Sequence, residues 1–157
     1  LFIMCGIIFT LVRRNRMWHT PKSPHGLIQE DLWPDEWKIL ISCLMLNQTT
    51  RKQVDKVIWD FFEKWPSPKK FLSSNHEDVS SLLRPLGFYN RRPRAMRKFT
   101  EEYLKRNWLE PIELYGIGKY ANDAWRIFCR GDWRAVDPKD HALNKYHTYL
   151  RELYEKN

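Results

Sequence analysis

The sequence has little cysteine and little glycine. Its three cysteines, Cys5, Cys43 and Cys129, lie far apart and form no Cys-x-x-Cys pair. We therefore predict neither a zinc site nor an iron–sulfur cluster, and this odd, scattered set favours a reducing compartment over secretion. Only six glycines occur in 157 residues. Two of them, Gly116 and Gly118, are separated by one residue, which makes that stretch distinctive.

A long hydrophobic run is also lacking. The most apolar stretch covers residues 1–12, whereas about 20 residues are needed to cross a bilayer. A signal peptide would carry its positive charge before the apolar run, and here three arginines follow it within residues 13–16. Because the sequence does not begin with Met, we expect residues 1–16 to be a disordered tail or a fragment edge, with a membrane anchor as the alternative, and residues 17–157 to form one domain.

Strand-like alternation of apolar and polar residues is absent over any length. Apolar residues recur instead at helical spacing, which predicts an all-α fold. The predicted helices cover residues 35–47, 50–64, 77–83, 93–106, 120–130 and 141–155. The first is apolar nearly all round and is expected at the centre. The basic side chains around Pro93 are expected on the surface, and they are Arg91, Arg92, Arg94, Arg97 and Lys98.

Negative charge is in deficit. The chain has 27 lysines and arginines against 19 acidic residues, a formal net charge of +8. The chain stays basic when the arginines of residues 13–16 are set aside, so the excess belongs to the domain itself. A polyanionic partner is the expected consequence.

The glycine pair lies within residues 114–120, Leu-Tyr-Gly-Ile-Gly-Lys-Tyr, between a short apolar segment and a helical pattern. This pattern predicts a hairpin joining two short helices, because glycine permits the positive φ of a tight turn and close approach of another molecule. Amide groups at such a turn suit a phosphate. Gly-x-Gly also occurs in plain helix-to-helix turns, so the pair alone leaves both interpretations open.

Two carboxylates, Asp137 and Asp140, follow the hairpin in an Asp-Pro-x-Asp motif before the last helix. A carboxylate at a helix start stays ionised beside the positive end of the helix dipole, which suits a role in catalysis. The motif is equally typical of a helix N-terminus, with Asp137 as N-cap and Pro138 at the first helical position. A purely structural role is therefore the alternative.

Six stretches resemble the helix-hairpin-helix DNA glycosylase superfamily, the relatives of endonuclease III. The resemblance is strongest to the mismatch-specific thymine/uracil glycosylase domain of methyl-CpG-binding glycosylases, and it extends from about Pro24 to the C-terminus. The stretches are residues 26–32 (GLIQEDL), 46–49 (LNQT), 85–89 (PLGFY), 111–120 (PIELYGIGKY), 126–129 (RIFC) and 140–147 (DHALNKYH). The resemblance implies two helical lobes with a DNA-binding cleft between them.

The resemblance also implies roles for individual residues. Asp140 corresponds to the catalytic aspartate, and Gln29 and Tyr120 correspond to the lining of the base pocket. Tyr120 stands where bifunctional members keep a nucleophilic lysine, which implies that the enzyme leaves an abasic site without cutting the strand. Phe88 corresponds to the apolar wedge inserted into DNA, and Gln48 stands where the close relative has an arginine that occupies the space left by the extruded nucleotide. These two residues are the expected DNA wedge or opposite-base contact. Phosphate contacts are expected from Gly116, Gly118, Lys119 and Lys145.

The implied function is a monofunctional DNA glycosylase that excises thymine or uracil mispaired with guanine in double-stranded DNA. The resemblance implies a nuclear monomer acting in base excision repair without cofactor, metal ion, iron–sulfur cluster or membrane. Two alternatives remain open: a non-catalytic helix-hairpin-helix DNA-binding protein, and a glycosylase or lyase of the same fold for another damaged base. From the residues alone, Phe88 could be a core side chain, Tyr120 a cover over the hairpin and Gln29 a loop residue.

Overall fold

Helices are the regular elements of the described part of the chain, residues 17–156, in this computed structural model. The α-helices are α1 (Ile28–Leu32), α2 (Glu36–Leu46), α3 (Arg51–Asp55), α4 (Ile58–Lys64), α5 (Pro68–Leu72), α6 (His76–Leu83), α7 (Arg91–Leu104), α8 (Lys119–Trp125) and α9 (His141–Glu155). Short 3-10 helices cover Arg84–Leu86, Pro111–Glu113 and Trp133–Ala135, and a π-helix, Arg126–Arg130, continues α8. No strand occurs among residues 17–156, which confirms the all-α prediction. The predictions for residues 1–16 lie outside the described residues.

Helix α2 is the central element. Asp35 caps it by accepting a hydrogen bond from the Lys38 amide at 3.0 Å. Its apolar side chains are buried on every side, as expected for a helix without a polar face. It packs against α1, α7 and α8. The predicted central helix is thus confirmed.

Two groups of helices meet on α2. The group from α3 to α7 encloses an aromatic cluster, in which the ring centroids of Phe61 and Trp65 are 5.1 Å apart and those of Phe61 and Phe71 are 5.4 Å apart. The other group contains α8, the π-helix and α9, and there Phe128 packs on Tyr146 with centroids 4.7 Å apart. Near its C-terminal end α2 contacts both groups, because the Leu44 carbonyl accepts a hydrogen bond from Arg92 of α7 and the Leu44 side chain lies against Gly116, shortly before α8.

Several boundaries differ from the prediction. The helix predicted over residues 50–64 is divided into α3 and α4, because the backbone at Val57 leaves helical geometry with φ −122° and ψ −28°. Pro68 follows α4 and occupies the first turn of α5, a helix that the sequence did not predict, where its missing N–H costs nothing. Likewise α7 begins at Arg91, since Pro93 fits within a first helical turn.

Gly131 ends the π-helix in a left-handed conformation, with φ 67°. A Cβ at this position would lie 2.6 Å from Cε3 of Trp18, whose indole N–H donates to the Phe128 carbonyl at 3.1 Å. We expect Gly131→Ala to lower the free energy of unfolding by about 2–4 kcal/mol, from backbone strain and overpacking together. Urea denaturation measures this loss.

Gly118→Ala is the matched control for Gly131→Ala. Gly118 has φ −102°, and a Cβ there would meet nothing within 4 Å. Its stability should therefore change by less than about 1 kcal/mol. Equal losses in the two variants would contradict the packing of Trp18 on Gly131.

Candidate functional site

Three polar side chains from three helices meet behind the hairpin. The Gln29 side chain of α1 is only 1% exposed. Its Nε2 donates to Oη of Tyr120 in α8 at 2.9 Å and to Sγ of Cys43 in α2 at 3.6 Å. The structure thus brings together Gln29 and Tyr120, the two residues predicted to line a base pocket. Sequence reasoning treated Cys43 only as an isolated cysteine, and no local signal marks it as their neighbour.

Glu30 holds the short helix α1 in place. Its carboxylate is buried and accepts hydrogen bonds from the Ser23 amide at 2.6 Å, the Ser23 hydroxyl at 2.9 Å and the Leu27 amide at 2.6 Å. A buried carboxylate needs such donors. Glu30 therefore fixes the backbone next to Gln29, and both of its carboxylate oxygens accept hydrogen bonds that serve this structural role.

Asp140 caps α9. Its Oδ2 accepts from the Leu143 amide at 2.9 Å, and the side chain is half-buried. Asp137 does not cap this helix, so that interpretation is wrong: Asp137 is exposed, and its carboxylate accepts from the Lys139 ammonium at 2.6 Å. This hydrogen bond lowers the pKa of Asp137.

The charge of Asp140 acts on the buried polar cluster. Burial is the main cause of the raised pKa of Tyr120, followed by interaction with Cys43, and the Asp140 charge raises it further. Burial likewise raises the pKa of Cys43 to about 11, with a smaller contribution from Asp140. Both groups therefore stay neutral near pH 7, and Asp140 lies within electrostatic reach of both.

One glycine of the hairpin has a positive φ. Gly116 has φ 77°, and a Cβ there would lie 3.3 Å from Cδ2 of Leu44. Gly118 is extended, so the positive φ expected of the glycine pair occurs at Gly116 and not at Gly118. The first hairpin element is a single 3-10 turn, Pro111–Glu113. Neither glycine amide donates a hydrogen bond to another described residue.

The two predicted phosphate-binding lysines differ in their surroundings. The Lys119 ammonium pairs with the Asp123 carboxylate and donates to the Asp137 carbonyl at 2.9 Å. It thereby ties α8 to the segment that leads to Asp140. Lys145 is exposed on α9, with no ion pair among the described residues.

Gln48 and Phe88 line a common surface groove of about 430 Å³. Both have positive φ, 57° and 47° respectively, which is uncommon for residues other than glycine. Phe88 is 49% exposed, so core packing does not explain it. Strained backbone at two exposed side chains on one groove is typical of a functional surface.

Basic side chains of α7 line the same groove. Arg91, Arg94 and Lys98 are exposed, as predicted, and share one face of the helix. The Lys98 ammonium lies 4.3 Å from the ring centroid of Tyr115 in the hairpin. Sequence reasoning did not single out Tyr115. The groove thus combines positive charge with aromatic surface, which suits a nucleic acid.

Arg92 is buried, contrary to the prediction that it lies on the surface. Its guanidinium donates to backbone carbonyls of two segments, at distances of 2.8 Å to Leu44, 3.5 Å to Met45, 3.1 Å to Asn47, 3.3 Å to Leu86 and 3.4 Å to Gly87. These segments carry Gln48 and Phe88. Arg92 therefore fixes the backbone on either side of the groove residues Gln48 and Phe88. Burial of the guanidinium lowers the pKa of Arg92. Arg97 is likewise engaged, with the Leu72 carbonyl at 2.8 Å.

The described part of the chain offers no group of three His, Cys, Asp or Glu side chains that could hold a metal ion. Between residues 17 and 156, no helix has the length and apolar character needed to cross a membrane.

An all-α fold, a glycine hairpin, an aspartate that caps the last helix and a basic groove are together typical of the helix-hairpin-helix class of proteins. The family model that matches residues 41–152 is that of the HhH-GPD superfamily of base excision DNA repair proteins. The chain belongs to this family, which confirms the resemblance found in the sequence.

Relatives with curated names agree. The chain is 41% identical over 141 residues to the methyl-CpG-binding domain protein 4-like protein of Arabidopsis thaliana, covering 90% of this chain and 32% of that one. It is 32% identical over 94 residues to the thymine/uracil-DNA glycosylase of Pyrobaculum aerophilum, covering 55% of this chain and 41% of the relative. The chain thus spans about a third to two fifths of these relatives.

Solved structures share the fold. A thermostable thymine-DNA glycosylase superimposes with a TM-score of 0.59 at 17% identity, covering 95% of this chain and 77% of that one. Endonuclease III in a trapped covalent intermediate with DNA gives a TM-score of 0.56 at 16% identity, covering 96% and 76%. The predicted helix-hairpin-helix glycosylase fold is therefore confirmed.

Proposed function

We propose that this chain is a monofunctional DNA glycosylase that excises thymine or uracil mispaired with guanine in double-stranded DNA. The observation that carries the proposal is the half-buried carboxylate of Asp140 within electrostatic reach of the buried Gln29–Tyr120 pair. The names of the relatives, one of them a thymine/uracil-DNA glycosylase, support the substrate class. The enzyme acts as a monomer in nuclear base excision repair of deaminated cytosine or 5-methylcytosine.

Asp140 supplies the chemistry in this proposal. Breaking the C1′–N bond leaves the electron pair with the base and positive charge on the sugar, which a nearby carboxylate stabilises. Oδ2 of Asp140 is engaged by the Leu143 amide, whereas Oδ1 accepts no hydrogen bond from another described residue. Oδ1 can therefore orient and deprotonate the water that attacks C1′. The positive end of the α9 dipole lies beside this carboxylate and interacts favourably with its negative charge.

Tyr120 accounts for the monofunctional reaction. Cutting the strand through a Schiff base requires a neutral amine at the sugar, and Tyr120 offers a neutral hydroxyl instead. The adjacent Lys119 ammonium is held by Asp123 and the Asp137 carbonyl. The product is therefore an abasic site in an uncut strand.

The groove supports recognition of the mismatch. Extruding a base costs a few kcal/mol, and least for a mismatched pair. Phe88 and Gln48, exposed on strained backbone, fill the vacated stack and contact the unpaired guanine. The amides of Gly116 and Gly118 bind phosphates together with Lys145 and with the remaining N–H of the Lys119 ammonium.

Single-lesion duplexes test this proposal. We expect base release from G·T and G·U duplexes and none from G·C or A·T, with strand breaks appearing only after alkali. Breaks before alkali would contradict the monofunctional mechanism. Tight binding without release of any base would favour the non-catalytic alternative. Release of a different damaged base alone would identify another substrate of the same fold.

A further inference from the structure

In the Gln29 amide the donors have partners and the acceptor has none among the described residues. A glutamine amide has two N–H donors and one carbonyl acceptor. Nε2 donates to both Tyr120 and Cys43, so both donors are engaged. Among the described residues, none donates a hydrogen bond to Oε1, although the side chain is only 1% exposed. An acceptor buried in this way is a place for a donor supplied by a ligand.

Cys43 determines which end of the amide faces inward. Its thiol is fully buried and neutral, and a thiol is a weak hydrogen-bond donor. Reversing the Gln29 amide would exchange Oε1 and Nε2. The carbonyl oxygen would then face the poorly donating thiol, and the N–H groups would stand where Oε1 now lies without a donor. The sulfur therefore favours the observed orientation, in which it accepts from Nε2.

The orientation has a consequence for the base that enters. Thymine and uracil carry an N–H at ring position N3, whereas cytosine and 5-methylcytosine carry a lone pair there. A carbonyl oxygen pairs with the first kind of base and repels the second. A site built to pair with a substrate N–H strongly rejects an analogue that lacks it.

We propose that Cys43 is a positioning residue that determines base specificity: it holds the Gln29 amide with its N–H groups inward and its carbonyl toward the flipped base. The pocket then accepts pyrimidines with an N3–H and rejects cytosine. This inference rests on the glycosylase function proposed above. Rejection of cytosine matters because cytosine is the normal partner of guanine.

The test compares 5-fluorouracil with 5-fluorocytosine, each opposite guanine in otherwise identical duplexes, by single-turnover base release. Fluorine makes both bases better leaving groups, and the difference in leaving-group ability that remains is the same for wild type and variants. A change in the ratio of the two rates therefore reports on recognition at N3 and at the group on C4. We expect the wild-type protein to release 5-fluorouracil at least about 100-fold faster.

Two variants remove the control of Cys43 over the amide in different ways. Cys43→Ala removes the acceptor, and Cys43→Ser replaces the poorly donating thiol by a hydroxyl that both donates and accepts, so that the reversed amide is no longer disfavoured. We expect each to lower the ratio of the two rates by about tenfold or more. Cys129→Ala is the matched control, because Cys129 is a second free cysteine, without a hydrogen bond to Gln29 or Tyr120, and its ratio should stay at the wild-type value.

The ratio separates specificity from loss of folded protein, since an unfolded fraction lowers both rates equally. If Cys43→Ala and Cys43→Ser slow both reactions but keep the wild-type ratio, Cys43 is only a packing residue and the inference is overturned. If the wild-type protein releases neither 5-fluorouracil nor uracil nor thymine, the proposed function fails and the inference fails with it.

Discussion

Asp140→Asn should slow base release from a G·T duplex by roughly 10²–10⁴-fold. The amide cannot deprotonate water and carries no charge to stabilise the sugar cation. Asparagine is as good an N-cap as aspartate, so the hydrogen bond to the Leu143 amide is preserved and α9 should keep its stability. Single-turnover kinetics and thermal unfolding, measured on the same preparation, report the two properties separately.

Asp137→Asn is the control for this experiment. Asp137 belongs to the same motif but is exposed and paired with Lys139. Its replacement should leave the rate of base release within about twofold of wild type. Unchanged release by Asp140→Asn would refute the catalytic assignment. A large loss in Asp137→Asn alone would transfer the assignment to that carboxylate.

Arg92→Met should lower the free energy of unfolding by about 3–4 kcal/mol. Methionine retains much of the apolar volume but none of the donors, so the buried carbonyls that Arg92 satisfies lose their partner. Chemical denaturation measures the loss. We also expect weaker binding to a G·T duplex, because the segments that carry Gln48 and Phe88 are no longer joined.

Two further variants sharpen this test. Arg94→Met removes an exposed arginine from the same helix and should change stability by less than about 0.5 kcal/mol. Arg92→Lys keeps the charge but cannot reproduce the fork of the guanidinium, so an intermediate loss of stability is expected. If Arg92→Met and Arg94→Met unfold alike, the carbonyl network around Arg92 contributes little.

The elements predicted best from the sequence are those specified by nearby residues. Helix α9 begins and ends where its apolar spacing indicated, and α2 was placed within one residue at each end. The division between α3 and α4 was missed because apolar spacing continues across Val57, and only packing shows where the backbone departs from the helix. The short helix α1 was missed because it is held by side-chain hydrogen bonds that apolar spacing does not reveal: the amides of Ser23 and Leu27 donate to the Glu30 carboxylate.

The site shows the same limit. Gln29 and Tyr120 lie 91 residues apart, so only the family resemblance paired them before the structure did. Arg92 was expected at the surface because it stands in a basic cluster, and its burial depends on the end of a helix more than 40 residues earlier. The charge pattern of one helix does not show that a backbone carbonyl of another helix will accept a hydrogen bond from one of its arginines.

The bonds of Trp18 and Thr20 to the Phe128 carbonyl, at 3.1 Å and 3.0 Å, bear on where this domain can be divided. Tyr146 adds a bond from α9 to the Pro21 carbonyl at 2.8 Å. Trp18, Thr20, Pro21 and Gln29 all precede residue 41, where the match to the family model begins. A fragment that begins at residue 41 would lose these hydrogen bonds to its C-terminal half and the Gln29 partner of Tyr120. The structural unit is therefore larger than the stretch that the family model matches.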